Sequence, residues 1–238
     1  MKTIKIAHLY YDIMNLYGEN GNVKFLTRKI EEQDIKCEIH FLTIDDKIDF
    51  SKYDIFYIGT GNEESISYVL DDLKKYKDDI KKALDSKKYF IITGNALELF
   101  AKTIRKENEE LKGLGILDFD IKEEPFRIVG EQFYDCSLID KKIIGFQNRS
   151  CTMDYEENSL FDVIEGTGNN PNIKKEGIRV NNLFATYLLG PLLVRNPFFC
   201  DYIVECICKD HDISYKIPDT NTDAYKAYLE YIKMFHTK

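Results

Sequence analysis

The feature that most constrains this fold is an apolar strand that runs directly into a tight turn and a helix. Residues 89–92 form a short apolar run, followed by Thr93-Gly94-Asn95 and by a segment that begins like a helix at Ala96. A short apolar run bounded by turn residues is typical of a buried strand. A strand–turn–helix junction of this kind lifts one side chain above the carboxyl edge of a parallel sheet. We therefore predict that Thr93 occupies such an exposed turn.

The first part of the chain alternates between strands and helices. Residues 65–84 give the clearest amphipathic helix, because apolar side chains recur there on one stripe. The other elements predicted in this part are strands at 4–9, 37–44 and 54–59 and a helix at 23–33. Strands separated by helices favour a mainly parallel sheet with helices on both faces. The predicted fold class is therefore α/β.

The second part contains more strands and more turn residues. The pattern predicts strands at 112–120, 127–134, 142–148, 160–165 and 177–189, and helices at 197–209 and 223–236. Residues 211–222 are polar and predict a linker. We expect one domain at 1–209, followed by a linker and a C-terminal helix at 210–238 that packs on it.

Composition excludes several classes of function. The net charge is −8 and the basic residues form no stripe, so nucleic acid is not an expected partner. No apolar run reaches the ~18 residues that a membrane-spanning helix needs, so membrane insertion is not expected. The first residues resemble a strand more than a signal peptide, which predicts a cytoplasmic protein. Among the cysteines only Cys206 and Cys208 are close, and their spacing does not indicate a metal site.

Several motifs, in register along most of the chain, carry a resemblance to a known family. They lie at 15–22, 54–62, 111–118, 145–148, 166–177 and 187–191. Together they resemble a class I glutamine amidotransferase domain of the cobyric-acid-synthase type. The likeness is greatest to the glutaminase subunits that supply ammonia for amidating the cell-wall precursor lipid II. The resemblance implies a flavodoxin-like fold, a Mur-ligase-like synthetase partner and no cofactor or metal held by the chain itself.

The resemblance also assigns catalytic positions, and this chain departs from the family at both. In such enzymes a cysteine thiolate attacks the glutamine amide, and a histidine before Gly-Pro activates the thiol. Backbone N–H groups at the elbow and the glycine loop hold the developing oxyanion. The sequence has Thr93 at the cysteine position and Leu189 at the histidine position. An alcohol is almost wholly protonated at pH 7, and a leucine cannot accept a proton, so both positions are degenerate.

Other positions of the family motif suggest ligand contacts. Arg127 matches an arginine that holds the substrate α-carboxylate in related subunits, although a solvated arginine at a strand start is an alternative. Gly59, Gly61 and Gly94 match glycines that shape the site, and the loop's central glycine is replaced by Thr60.

Glu19 also matches a family position, that of an acid in the N-terminal loop. The alternative is that this carboxylate only stabilises the N-terminus of the following helix, where negative charge is favoured by the helix dipole.

Three hypotheses follow from these residues. The first is a pseudo-glutaminase that keeps the fold and serves a synthetase partner as scaffold or regulator. The second is an active glutaminase with a rearranged site, in which Cys151 or His8 replaces a missing group, or the partner donates the base. The third is a module that binds a small metabolite, with glutamine as the first ligand to test.

Overall fold

The computed structural model of the chain describes residues 2–236, and within this range a six-stranded sheet forms the centre of the fold. Its strands are β1 Thr3–Leu9, β2 Lys36–Leu42, β3 Ile55–Ile58, β4 Tyr89–Thr93, β11 Ile178–Val180 and β12 Leu183–Thr186. They lie in the order β11-β12-β4-β3-β1-β2. All neighbouring strands are parallel except β11 and β12. This confirms the predicted α/β class.

Helices cover both faces of this sheet. Within the described residues they are α1 Asn20–Glu31, α2 Glu63–Leu73, α3 Lys77–Asp85, α4 Leu192–Arg195, α5 Pro197–Asp210 and α6 Asp223–His236. Val23 of α1 and Ile203 of α5 share one buried cluster with Ile6 and Ile55 of the sheet. The apolar stripes of α2 and α3 belong to the cluster on the other face. Burial of both faces explains why β3 and β4 are almost continuously apolar.

The strands added in the second half form another sheet. Among the described residues they are β5 Thr103–Arg105, β6 Glu110–Lys112, β7 Asp120–Cys136, β8 Lys141–Met153, β9 Phe161–Glu165 and β10 Lys175–Glu176. The order is β10-β9-β7-β5-β6, and β8 also pairs with β7. Only β5 and β7 run parallel in this sheet. The long β7–β8 pair carries Arg127 and Cys151 towards the carboxyl edge of the first sheet.

Two sequence predictions about elements were wrong. The helix predicted at 65–84 is divided into α2 and α3 by a 3₁₀ turn at Lys74–Tyr76, where Tyr76 packs against Phe50 and donates to the Asp46 carbonyl at 3.0 Å. These tertiary contacts override the continuous helical pattern.

The second wrong prediction is the strand at 112–120. β6 ends at Lys112 and the chain then forms a loop until β7 begins at Asp120. The loop passes so close to the Ala101 carbonyl that a Cβ at Gly113 would lie 2.2 Å from its oxygen. The helix predicted after the elbow is present, and it is a 3₁₀ helix at Gly94–Phe100.

The C-terminal helix α6 packs against the rest of the chain through its tyrosines. Tyr225 and Tyr228 are buried, and the Tyr228 hydroxyl donates to the Lys142 carbonyl at 2.7 Å. The division into units at 1–209 and 210–238 stays a prediction, and residues 1, 237 and 238 at their ends lie outside the described range. No helix within residues 2–236 is long and apolar enough to span a membrane.

Candidate functional site

The carboxyl ends of the parallel strands bring the predicted site loops together. The loop before α1 follows β1, the glycine loop follows β3, the elbow follows β4 and the Gly190-Pro191 turn follows β12. Ligand sites in open α/β sheets lie at this edge. Gly94 begins the elbow turn with φ +62°, a left-handed conformation that suits glycine.

The Thr93 side chain points into the protein instead of into a cleft. Its residue is fully buried, and its hydroxyl donates to a Glu19 carboxylate oxygen at 2.6 Å. The Tyr57 hydroxyl lies 2.9 Å from the Thr93 hydroxyl and itself donates to Glu19. A carboxylate beside an alcohol has the geometry of a general base. Here, however, the alcohol has no exposed surface at which a substrate could meet it.

Glu19 is the centre of this buried network. Its carboxylate also accepts from the Asn22 side-chain amide at 3.1 Å and from the Gly190 N–H at 3.0 Å. It makes no side-chain capping bond to α1, although Glu19 immediately precedes that helix. The carboxylate therefore joins the loop before α1 to β3, β4 and the turn after β12.

Neither the family's histidine position nor His8 supplies a base to Thr93. Leu189, at the family's histidine position, is 4% exposed and apolar. His8 is fully buried and stacks edge-to-face on Tyr57 at 5.2 Å between ring centroids. Its ring nitrogens have no hydrogen-bond partner among the described residues, and burial lowers the pKa of His8 to about 4. His8 is therefore neutral at pH 7 and makes no hydrogen bond to Thr93.

Backbone N–H groups that could bind an oxyanion already have acceptors within the protein. The Gly61 N–H donates to the Asn95 side-chain oxygen at 3.0 Å, and Asn95 donates back to the Gly61 carbonyl at 2.8 Å. The Gly94 N–H donates to the Leu188 carbonyl at 3.2 Å. Thr60 fills the space between the two loops, so that a Cβ on Gly94 would lie 1.9 Å from its hydroxyl oxygen.

A cavity of about 240 Å³ opens beside the elbow, with Arg127 at its mouth. The Arg127 side chain is 48% exposed and donates to Asn148 at 2.6 Å and to Glu63 at 3.0 Å. Asn95 and Gly61 line the same cavity, whereas Thr93 does not. The elbow side chain and the cavity are thus separated by the Asn95–Gly61 contact.

Cys151 and Glu98 form part of the cavity wall, and both are buried. Burial raises the pKa of Glu98 to about 7. Burial and the nearby Glu98 carboxylate raise the pKa of the Cys151 thiol far above its ordinary value. A thiol that stays protonated is a poor nucleophile. The structure therefore argues against Cys151 as a replacement for the missing cysteine.

Comparison with known proteins identifies the family. The model of the CobB/CobQ-like glutamine amidotransferase domain matches residues 5–197, most of the chain. The chain belongs to the CobB/CobQ-like glutamine amidotransferase family.

No group of His, Cys, Asp and Glu side chains within residues 2–236 could hold a metal ion.

Two relatives are similar over most of their length. The first is the GatD subunit of the glutamine-hydrolyzing lipid II isoglutaminyl synthase of Staphylococcus aureus strain N315, 32% identical over 94% of this chain and 92% of the relative. The second is the subunit of the same name from Streptococcus pneumoniae strain R6, 27% identical over 81% of this chain and 76% of the relative.

Solved structures share the fold at much lower identity. A glutamine amidotransferase from Thermotoga maritima superposes with a TM-score of 0.52 at 12% identity, covering 98% of this chain and 92% of that one. The glutaminase domain of Trypanosoma brucei CTPS with bound acivicin gives 0.51 at 8% identity, covering 93% and 98%. These likenesses support the amidotransferase fold.

The structure brings only part of the predicted set of site residues to the cavity of this family member. Arg127 and Gly61 line it, whereas Thr93, Leu189, Gly59 and Gly94 lie outside its lining. Gly59 instead leaves room for Glu19, whose Cγ would lie 2.4 Å from a Cβ at that position. The contribution of these residues to ligand binding stays a prediction.

Sequence reasoning missed Tyr57, Asn22 and Glu98. The sequence offered a signal for Glu98, because an acidic residue between Leu97 and Leu99 interrupts an apolar run. Tyr57 and Asn22 sit in motifs that the resemblance covers, but nothing local shows that their side chains converge on one carboxylate.

Proposed function

We propose that this chain is a non-hydrolysing, amidotransferase-like subunit of a complex related to lipid II isoglutaminyl synthase. In this proposal it acts as a scaffold or regulator for a Mur-ligase-like synthetase subunit that amidates a cell-wall precursor in the cytoplasm. The names of the two bacterial relatives support the type of complex. The departures at Thr93 and Leu189 support the loss of glutamine hydrolysis.

The observation that carries the proposal is the buried hydrogen bond from Thr93 to Glu19. A nucleophile must meet the substrate carbon, but this hydroxyl is fully buried and held by a carboxylate inside the protein. Removing one member of a catalytic unit can cost several powers of ten in kcat. The chain lacks both the thiol and the histidine of its family, so we expect no residual hydrolysis above background.

A second set of contacts supports the same conclusion independently. Oxyanion stabilisation needs N–H donors that point at the place where charge develops. The N–H groups of Gly61 and Gly94 donate instead to Asn95 and Leu188. Even with a nucleophile in place, the transition state would have to compete with these internal acceptors.

A partner-binding role is supported by exposed apolar side chains in the cavity lining and on strand β7. Leu16 lines the cavity and is 57% exposed. Phe126 and Val129 are also exposed, and they flank Arg127 on β7. Exposed apolar groups gathered near a cleft are typical of interaction sites. We propose that the synthetase subunit covers this mouth.

Glutamate release from glutamine tests the loss of hydrolysis. The assay uses the purified full chain, alone and with a Mur-ligase-like synthetase from the same organism, and the S. aureus GatD-containing complex as the positive control. We expect no release from this chain in either state. Release only with the partner would mean that the partner supplies the missing groups and would overturn the proposal. Thr93→Val and Cys151→Ser would then show which side chain is used.

Complex formation tests the scaffold role separately. Analytical ultracentrifugation of the chain with the synthetase should show a complex, and Leu16→Asp should weaken it because it places a charge in the proposed contact. Tyr68→Asp, a change at an exposed aromatic residue on α2, serves as a matched surface control. A chain that forms no complex, or a complex equally unaffected by both variants, would contradict the proposed docking site.

A further inference from the structure

The buried end of the cavity carries a carboxylate whose negative charge is only weakly compensated by neighbouring groups of the protein. Glu98 lines the cavity and is 5% exposed. It takes part in no salt bridge among residues 2–236, and its side-chain hydrogen-bond donor is the Cys151 thiol. A thiol is a weak donor. Burying an ionised carboxylate is costly unless a cation or strong donors meet it.

The cations nearest to Glu98 make their hydrogen bonds and ion pairs with other groups. The Arg149 guanidinium donates to Gln147 at 3.0 Å and to the Gly168 and Cys151 carbonyls, and it stacks on the Tyr187 ring at 3.9 Å. These contacts hold Arg149 in the wall.

Lys106 also lines the cavity, but its ammonium pairs with Glu109 at 3.1 Å. Both cations lower the electrostatic cost of ionising Glu98 from a distance, and neither forms an ion pair with it. The inner end of the cavity therefore favours a ligand that brings its own positive charge.

The mouth of the same cavity carries a cation, Arg127, which is paired with Glu63; Glu123 lines the cavity as well. Arg127 is fixed there through its Nε and Nη1 atoms by Asn148 and Glu63. Its Nη2 makes no hydrogen bond within the described part of the chain, so this edge remains available to a carboxylate. An N–H of a guanidinium donates a charge-assisted hydrogen bond to a carboxylate. A ligand with charges of opposite sign at its two ends would match both ends of the cavity.

We infer that this cavity binds an α-amino acid whose side chain ends in an amine, such as lysine or ornithine, with the ammonium at Glu98 and the α-carboxylate at Arg127. The volume of about 240 Å³ lies just below the range of ~300–1,000 Å³ usual for drug-sized ligands, so a ligand of amino-acid size fits. Glutamine matches the inner end less well, because its carboxamide brings no positive charge to the Glu98 carboxylate. This inference rests on the proposed function, since a subunit that does not hydrolyse its ligand can retain it as a signal.

Isothermal titration calorimetry of the full chain at pH 8 with a matched set of ligands tests this assignment. L-lysine is compared with L-norleucine, which lacks the side-chain ammonium, with cadaverine, which lacks the carboxylate, and with L-glutamine. We expect L-lysine to bind at least about tenfold more tightly than each of the other three, because each lacks a charged contact.

Two variants connect the binding to the proposed contacts. Glu98→Gln keeps the shape of the side chain and removes its charge, so it should weaken L-lysine binding at least about tenfold and leave L-norleucine binding unchanged. Glu157→Gln, at an exposed glutamate between β8 and β9, is the matched control and should change neither. If Glu98→Gln does not fold, the comparison of L-lysine with L-norleucine on the unaltered chain still tests whether the side-chain ammonium contributes to binding.

The outcomes separate this inference from the proposed function. Equal binding of L-lysine and L-norleucine, no binding of L-lysine, or tighter binding of L-glutamine would overturn the diamino acid assignment. Glutamate release is measured on the same L-glutamine samples. Release would overturn the proposed function whatever the binding results, whereas tight L-glutamine binding without release would leave the proposed function in place.

Discussion

The Asn95 side chain makes two hydrogen bonds with the backbone of Gly61, accepting from its N–H at 3.0 Å and donating to its carbonyl at 2.8 Å. This pair ties the elbow turn to the loop after β3. It also occupies an N–H group of the glycine loop, which is the kind of donor that the family resemblance assigns to the oxyanion. In the proposed loss of glutamine hydrolysis, the backbone of the site would therefore take part together with the side chains at 93 and 189.

Restoring the catalytic side chains alone should give little activity. We expect the double variant Thr93→Cys/Leu189→His to release glutamate slowly, because its oxyanion donors remain occupied. Adding Thr60→Gly and Asn95→Gly frees the Gly61 N–H and opens the space beside Gly94. Since one oxyanion donor is worth about 10²–10³ in kcat, the quadruple variant should be at least about 10²-fold faster than the double variant.

The control for this prediction is the double variant Thr60→Gly/Asn95→Gly, in which Thr93 and Leu189 are unchanged. This chain should fold, as judged by circular dichroism, and release no glutamate. Equal rates for the double and quadruple variants would show that the Asn95–Gly61 contact does not limit catalysis.

The Thr93–Glu19 hydrogen bond should contribute measurably to stability. Thr93→Val keeps the shape of the side chain and removes the donor from a fully buried carboxylate. Hydrogen bonds to charged groups are worth about 1.5–3 kcal/mol, so we expect the free energy of unfolding in urea to fall by about that amount.

Thr103→Val provides the matched control, because the Thr103 hydroxyl also donates to a carboxylate, that of Asp120. The Asp120 side chain is 38% exposed, so water can replace the lost donor. We expect this change to cost less than about 1 kcal/mol. Equal losses in the two variants would mean that burial does not strengthen the Thr93 contact.

The buried carboxyl of Glu98 should make stability fall as the pH rises. Burial raises its pKa to about 7, so between the unfolded pKa near ~4.3 and pH 7 the folded state holds a proton that the unfolded state has lost. Stability therefore decreases with pH across this window. Between pH 5 and pH 8 the Glu98 contribution should fall by about 2–3 kcal/mol. The variant Glu98→Gln should lose this dependence, as measured by urea unfolding at the two pH values.

Other buried groups, Glu176 and His8 among them, set the background for that measurement. Burial raises the pKa of Glu176 to about 7, so it acts in the same direction as Glu98. Burial lowers the pKa of His8 to about 4, so its contribution rises between about pH 4 and its unfolded value of 6.5. Comparing the pH dependence of the free energy of unfolding of Glu98→Gln with that of Glu157→Gln isolates the contribution of Glu98. If these two variants have the same pH dependence, Glu98 is not protonated in the folded state at pH 5.

Much of the fold could be predicted from the sequence because its apolar patterns are strong. The helix at 223–236 has the predicted bounds, and the buried strands β3 and β4 lie where continuous apolar runs place them. Predictions failed where contacts distant in sequence decide local structure. Tyr76 divides the helix predicted at 65–84, and Ala101 holds the segment around Gly113 as a loop.

The candidate site could also be predicted only in part, because contacts distant in sequence decide its side-chain directions. Sequence motifs located Thr93 and Leu189, because turn and strand signals fix where the elbow and the Gly-Pro turn lie. They could not show that Thr93 turns towards Glu19, since the direction of that side chain depends on Tyr57, Asn22 and Gly190 from other elements. The Asn95 contact with Gly61 likewise joins segments that are 34 residues apart.

The last prediction concerns the attachment of α6. The Lys29 ammonium is buried and lies 2.9 Å from Asp201 and 2.8 Å from the Tyr225 hydroxyl, which donates to Asp201 at 2.6 Å. Tyr225→Phe removes a donor from a buried carboxylate, so we expect the free energy of unfolding to fall by about 1.5–3 kcal/mol. Hydrogen exchange of α6 should accelerate in the same variant. Tyr231→Phe, which removes a hydroxyl that donates to the exposed Glu131, should cost less than about 1 kcal/mol. If Tyr225→Phe accelerates exchange in α6 without lowering global stability, α6 unfolds independently, and its contact with Lys29 and Asp201 does not contribute to the cooperative unit.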